Sequence, residues 1–405
     1  MVMSHDSKLA IDGGTPLRAT PMPVRRAIGV NERAMLLEAL DYYDQRGADP
    51  GYEGIFEQRY CKAFADLMGG GYADAVATGT ASLFVAVAAL GLPTGSEVLV
   101  SPITDPGSIS AIIMNGLVPR LVDCAPESYN VGLAQVEARI SPRTSCIMIV
   151  HAIGRPVTEI GRIVELARAR GIKVIEDCSQ SHGAMVQGAR VGSFGDIAAF
   201  STMYRKASIT GASGGVVFTR DLELFRQAIA HADRGKPRWI EGFDDRNPST
   251  FLFPALNLHT DELSCATGLA SLSRLDDTRH RRLAFVAEVT RRISGACRAC
   301  RPYGYSVDDS PFISPVIVDP ARITVTKQAF ARAVLAEGIG LNPHYNYLVT
   351  DWPWAQRFLS DGFETSNARS IRDRTFNLYL NENYGLAEAE DVVAAILKVE
   401  SAYAA

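Results

Sequence analysis

The sequence predicts an α/β fold, a mostly parallel sheet wrapped by helices and followed by a smaller α+β unit at the carboxyl end. Three observations carry this expectation. The chain has 405 residues, more than one ordinary hydrophobic core serves, since single cores stop growing at roughly 250–300 residues. From about residue 75, short apolar runs alternate with longer amphipathic ones, the pattern of repeated β-α units. Beyond about residue 280 the alternation gives way to a mixture of strand-like and helix-like runs. The expected division is a large domain over residues 1–280, amino-terminal segment included, and a small carboxyl-terminal domain over residues 281–405.

The elements follow in order. After a Gly/Pro-rich leader ending near Pro23, residues 31–46 and 54–68 carry apolar positions at helical spacing on polar frames. A strand at 74–77 leads into a helix at 79–90, and one at 97–101 into a helix at 108–115. The run 118–123 precedes a polar loop, 145–151 precedes a helix at 157–170, and 173–176 is a buried-type strand. Residues 197–201 and 214–219 are strand-like, and 222–231 helical. Residues 235–256, rich in Arg, Asp, Pro, Trp and Phe, keep no period and read as an irregular excursion of the functional sort. From Asp261 to about Cys297 one long amphipathic pattern bridges toward the carboxyl-terminal unit, in which 312–318, 326–337 and 391–400 are the regular runs.

Composition narrows the function. Hydrophobic residues make up 47% and charged residues 21%, as in a soluble globular chain. The formal charge of −4 carries no basic stripe, which argues against a nucleic-acid partner and for small molecules. The seven cysteines are odd in number and scattered, as in the reducing cytoplasm. Cys297 and Cys300 form a C-x-x-C pair without a second pair or nearby histidines, so no metal is assigned. The opening Met-Val-Met-Ser-His-Asp-Ser-Lys has no apolar core of a signal peptide, and no run of about 20 apolar residues suggests a membrane span.

Three stretches carry chemistry. Ala77-Thr78-Gly79-Thr80-Ala81-Ser82 lies between a predicted strand and a predicted helix, where unpaired N–H groups, the helix dipole and the Thr80 and Ser82 hydroxyls outline a phosphate cradle. Ordinary helix capping explains the same residues. In Val174-Ile175-Glu176-Asp177-Cys178-Ser179-Gln180-Ser181-His182-Gly183-Ala184 the acids end a buried strand, the end at which open α/β sheets bind ligands. Asp177 there can pair with a protonated pyridine nitrogen or cap the following loop. The third stretch, 192–206, ends on Lys206 in a Ser/Gly-rich turn, where a dry site lowers an ammonium pKa as Schiff-base formation requires. Most isolated lysines simply lie on the surface.

The joint order of these stretches resembles the DegT/StrS family of pyridoxal-phosphate (PLP) sugar aminotransferases. The resemblance runs through Ala-Thr-Gly-Thr-Ala-Ser at 77–82, Pro-Arg-Leu-Val-Asp at 119–123 and Tyr-Asn-Val at 129–131. It continues in Ile-Val-His at 149–151, the acidic stretch at 175–184 and Phe-Gly-Asp-Ile-Ala-Ala-Phe-Ser at 194–201, with weaker echoes to the terminal helix. It implies PLP fold type I, with Lys206 holding PLP as a Schiff base and Asp177 on the pyridine nitrogen. It further implies Gln180 at the phenolic oxygen or ring face, and Gly79, Thr80 and Ser201 at the phosphate. Asn257 would reach the phosphate of the neighbouring subunit, so the active sites of a homodimer would be shared. His344 and Tyr345 fall where the family often has a His-Tyr pair near the sugar, and a structural role fits them equally.

The implied reaction moves an amino group from glutamate or glutamine through pyridoxamine phosphate to a nucleotide-linked keto sugar or a keto-cyclitol. The leader 9–16 resembles openings of aminocyclitol and antibiotic-sugar members. Three departures stand out. Asp105 occupies the place of the usual ring-stacking aromatic and cannot stack, so either another side chain covers that face or the ring is held differently, with the carboxylate open to a cationic substrate or donor. The loop Gly211-Ala212-Ser213-Gly214-Gly215 is one residue longer than the family's, and His259 stands where arginine is common. They keep other PLP reactions (elimination, epimerisation) and a non-catalytic regulator or partner subunit open. Lys206 argues against the family's dehydratases, in which histidine replaces the lysine.

Overall fold

The computed structural model describes residues 8–405, so the opening stretch read above lies, apart from Lys8, outside the described residues. The strands are β1 (Tyr72–Val76), β2 (Glu97–Val100), β3 (Val118–Leu121), β4 (Thr144–Val150), β5 (Lys173–Asp177), β6 (Met185–Val186), β7 (Ala189–Arg190), β8 (Ile197–Ser201), β9 (Gly215–Thr219), β10 (Cys300–Pro302), β11 (Ser314–Val318), β12 (Leu341–Asn342) and β13 (Thr375–Leu378). The helices are α1 (Val30–Asp44), α2 (Ile55–Leu67), α3 (Gly79–Ala89), α4 (Pro106–Met114), α5 (Leu133–Arg139), α6 (Ile160–Ala169), α7 (Leu222–Ala232), α8 (Glu262–Ser273), α9 (Leu275–Ala296), α10 (Lys327–Ala336), α11 (Pro353–Gln356), α12 (Ser366–Arg374) and α13 (Leu386–Tyr403).

A seven-stranded sheet runs in the order β1-β9-β8-β5-β4-β2-β3. All its pairings are parallel except those of β9, which runs antiparallel between β8 and β1. β2 and β9 are buried at every residue and β4 at all but Ser145, because helices cover both faces of the sheet. On one face Phe56, Tyr60 and Phe64 of α2 pack toward Phe200 and Phe218; on the other lie the apolar sides of α3, α4 and α7. A second, antiparallel sheet in the order β10-β11-β13-β12 packs its own core with α9, α10 and α13. A further cluster joins Ile103, Tyr129, Val150 and Ile153, past the main strands, to Ile313, Tyr345 and Ile371.

The buried Glu262 at the start of α8 fastens the amino-terminal helices. Its carboxylate accepts the Phe56 and Glu57 N–H groups at 3.0 and 2.8 Å and the Tyr43 hydroxyl at 2.6 Å. It thus caps α2 from a distance of about 200 residues along the chain, satisfying donors that a helix start leaves open.

Two sequence expectations change here. The polar loop after β3 contains α5, and the single long helix from Asp261 is two helices. The break falls at Arg274, whose guanidinium donates to Glu32 and to the Ala27 carbonyl, both at 2.6 Å, so tethering to the amino-terminal segment takes precedence over helix continuity. No helix among the described residues is long and apolar enough to cross a membrane.

Candidate active site

The carboxyl ends of β5 and β8, the loop after β2 and the start of α3 surround a cavity of about 1190 Å³, closed on the far side by residues 312–384. α3 begins at this cavity because Thr78 is extended and its hydroxyl accepts the Ala81 N–H at 2.8 Å. The first intrahelical bond is from Ser82 N–H to Thr78, so the N–H groups of Gly79 and Thr80 stay free of intrahelical partners. Gly79 is required for space: a Cβ there would stand 2.4 Å from Ser201 Cβ and 2.7 Å from Ser201 Oγ. Two N–H groups and the hydroxyls of Thr80 and Ser201 therefore meet at one helix start, a donor set matched to a phosphate.

Asp177 ends β5, 3% exposed. Its Oδ2 accepts the Ser108 hydroxyl at 2.9 Å and its Oδ1 the Ser179 N–H at 3.1 Å. Ser108 spends its one proton on this carboxylate, so Thr104, 2.7 Å away, donates to Ser108. The polar chain Thr104–Ser108–Asp177 fixes the acid at the cavity wall.

Lys206 also lines the cavity. Burial pushes its ammonium down to about 8, against the pull of Asp177 and Asp105. It has no ion pair among the described residues; its Nζ lies 4.4 Å from the centroid of the Phe312 ring. His182 nearby is pushed down to about 3, first by burial and then by the Lys206 charge.

Gln180 accepts the Ile153 N–H on its Oε1 at 2.7 Å, while its side chain bonds the Tyr345 hydroxyl. Burial raises the Tyr345 phenol, with Gln180 opposing. Asp105 lines the cavity too, and it is also the N-cap of α4, accepting the Gly107 N–H at 2.9 Å ahead of Pro106. The His-Tyr pair divides. Tyr345 faces the cavity, whereas His344 turns its Nδ1 to Lys327 Nζ at 3.2 Å. Asn257 lies outside this chain's cavity, bridged to Asp233.

Two clusters have metal-ligand composition. In His151–Glu176–Cys178, His151 Nδ1 accepts the Val157 N–H at 3.0 Å, so Nε2 carries the proton and donates to Glu176 at 2.9 Å. Glu176 also accepts the N–H groups of Gly192, Phe194 and Gly195 at 2.7–2.8 Å. These bonds occupy both ring nitrogens of His151 and both carboxylate oxygens of Glu176. In Glu53–Asp233–His259, Asp233 already pairs with Arg234, Lys236 and Arg238.

Comparison with known proteins places the chain as a whole. The model of the DegT/DnrJ/EryC1/StrS aminotransferase family matches residues 47–397. The chain belongs to this family. A GDP-perosamine synthase of Caulobacter vibrioides is 30% identical over 374 residues, 91% of this chain and 95% of its own. An L-glutamine:2-deoxy-scyllo-inosose aminotransferase of Micromonospora echinospora is 36% identical over 223 residues, 54% of this chain and 52% of its own. The solved aminotransferase of Psychrobacter cryohalolentis superposes with a TM-score of 0.83 at 24% identity, covering 93% of this chain and 97% of that one. The protein is thus an aminotransferase of the PLP-dependent fold, and PLP is its cofactor.

Its residues fit that group: anion donors at Gly79, Thr80 and Ser201, a carboxylate at Asp177 and an amine of lowered pKa at Lys206 border one cavity. Sequence reasoning missed Thr104, Ser108, Ile153 and Phe312. The spacing of four between Thr104, just before the N-cap of α4, and Ser108 in its first turn was the available signal for that pair.

Proposed function

We propose that the aminotransferase transfers an amino group from glutamate or glutamine to a nucleotide-linked keto sugar or a keto-cyclitol, in amino-sugar or antibiotic biosynthesis, with Lys206 as the cofactor lysine. The observation that carries this is the meeting of Lys206, Asp177 and the Gly79–Ser201 anion cradle in one cavity, together with full-length similarity to a GDP-perosamine synthase and partial similarity to cyclitol aminotransferases. When bound, PLP supplies an electron sink for the carbon that gains or loses the amino group.

The chain's own groups then divide the work. Gly79, Thr80 and Ser201 would hold the phosphate, and Asp177, braced by Ser108 and Ser179, would pair with the pyridine nitrogen and favour its protonated form. Gln180, its Oε1 engaged by the Ile153 N–H, would lie on the phenolic side of the ring. Lys206, neutral in a useful fraction near its lowered pKa, would take a proton from the amino donor's α-carbon and, as the acid, deliver it to the cofactor carbon that keeps the amino group, with the reverse transfer toward the ketone acceptor. Asp105 and Tyr345 face the substrate space; His344 supports the Tyr345 loop through Lys327. Asn257, outside its own cavity, serves the partner's site in a homodimer. The cofactor-binding domain runs to about residue 280 and residues 281–405 form the smaller one, into whose core Leu9 of the leader packs. Seven free thiols fit the cytoplasm.

The test is borohydride reduction of the PLP-loaded protein with peptide mapping, followed by incubation with glutamate or glutamine and a panel of keto sugars and cyclitols. Label on Lys206 and a new primary amine on one acceptor class are expected. Label elsewhere, or none, rejects the assignment.

A further inference from the structure

We propose that Phe312 is a positioning residue for Lys206: its ring holds the lysine ammonium whenever that side chain is not bonded to cofactor, and the strained corner at Ile153–Gly154 sets the ring in place. The proposal rests on Lys206 being the cofactor lysine.

Phe312 enters the cavity from the segment between β10 and β11, and the 4.4 Å from Nζ to its ring centroid is inside the ~6 Å range of cation–π attraction. Its N–H donates to the Ile153 carbonyl at 3.1 Å, which also accepts the Tyr305 hydroxyl at 2.9 Å. The Ser310 N–H donates to the Gly154 carbonyl at 2.8 Å. Ile153 sits at φ 58°, ψ 7°, a left-handed conformation that a β-branched residue avoids. Gly154 follows at φ 92°, and a Cβ there would lie 2.0 Å from the Ser310 carbonyl oxygen.

Such strain persists only where neighbours over-determine the backbone, and it gathers at functional sites. Here the neighbours are the Gln180 amide on the N–H side of Ile153 and the Phe312 loop on its carbonyl side. One corner therefore registers the wall that carries Gln180 against the loop that carries Phe312.

An aromatic face suits this lysine. The groups that act on its charge are Asp177 from β5, Asp105 from the start of α4 and His182, and Arg25, Arg26, Arg205, Tyr345, Tyr347, Tyr379 and Tyr384 line the same cavity. Neither carboxylate forms an ion pair with Nζ, and His182 stays neutral at pH 7. A carboxylate in contact would hold the ammonium and compete for its proton. The ring attracts the ammonium and has no site for the proton, so the proton remains available to the substrate.

The experiment follows the amine of Lys206 in PLP-free protein by its rate of reaction with trinitrobenzenesulfonate against pH, read by peptide mapping. In Phe312→Leu, which keeps the site apolar without a π face, the Lys206 midpoint should fall by about 0.5 to 1.5 pH units. Phe312→Tyr should restore it. Phe312→Met serves the same comparison if the leucine variant does not fold, as judged by circular dichroism. An unchanged midpoint, or equal displacement in the leucine and tyrosine variants, overturns the proposal. Borohydride reduction of the unmodified holoenzyme reads the cofactor assignment alone. Label on Lys206 with no shift in Phe312→Leu removes the Phe312 role only; no label on Lys206 removes the assignment and the proposal with it.

Discussion

Replacing Gly79 by alanine tests the cradle at its tightest point. The new Cβ would lie 2.4 Å from Ser201 Cβ and 2.9 Å from Ser201 Cα, neither of which is the free end of a flexible side chain. Carbon contacts are optimal at about 3.5–4.0 Å, so the start of α3 must retreat from β8 by roughly 1 Å. Overpacking of this kind costs about 1–3 kcal/mol, and the better helix propensity of alanine returns about 0.5–1 kcal/mol. The apo variant should lose about 1–2 kcal/mol in denaturant unfolding. The larger effect falls on the cofactor. Retreat of the helix start lengthens charge-assisted bonds from the Gly79 and Thr80 N–H groups, each worth about 1.5–3 kcal/mol, so PLP affinity should fall about 10- to 100-fold. Absorbance titration of apo protein with PLP reads this. Gly161→Ala in α6 is the control: no atom lies within 4 Å of its new Cβ, and it should leave affinity alone. Wild-type PLP affinity in Gly79→Ala would refute the cradle at this helix start.

Three further outcomes are expected. The Lys206 ammonium, at about 8 when folded against 10.5 in the open chain, opposes folding below pH 8, and this opposition fades as pH rises to 10.5, where the unfolded chain also loses the proton. Apo Lys206→Met should therefore melt higher than apo wild type at pH 7, by about 1–3 kcal/mol once screening by cavity water is allowed for, with the gap closing toward pH 10.5; a gap independent of pH would contradict this. Asp177→Asn keeps the acceptor for Ser179 or Ser108 and should still take up PLP while turnover drops about 100-fold or more; unchanged turnover removes Asp177 from the role. Glu176→Gln turns an amide nitrogen toward N–H donors and should lower stability by about 2–4 kcal/mol in thermal melts without creating metal affinity; wild-type stability would refute the buried-carboxylate reading.

How far the sequence reaches depends on how local each feature is. The main sheet was legible because parallel strands covered on both faces leave near-continuous apolar runs, as in β4, and β1, β2, β3 and β4 each lead to a helix. The second sheet was not, since β12 has two residues and β10 three, too short for any period to show. The same rule divides the site. Gly79, Asp177, Ser201 and Lys206 stand at strand ends or just beyond them, so their placement follows from runs a few residues away. Asp105 looked like a lost stacking aromatic, yet Asp105-Pro106 is also a helix-start signature, and the structure uses it as one. Phe312 and Tyr345 reach the cavity only because the chain returns to it more than 100 residues after Lys206; Tyr345 was marked by the family's His-Tyr pair, while nothing local announces Phe312. The cavity accordingly has a wall built from residues 78–213, whose chemistry was read in order along the chain, and a facing wall from residues 312–384 with Tyr345, Tyr347 and Tyr379. Residues that hold the cofactor face the same group in every turnover, so their types are constrained by one chemistry. Under the proposed function the facing wall would meet the acceptor, and its residue types would follow the acceptor's shape instead, so the sequence indicates the reaction more sharply than the ketone.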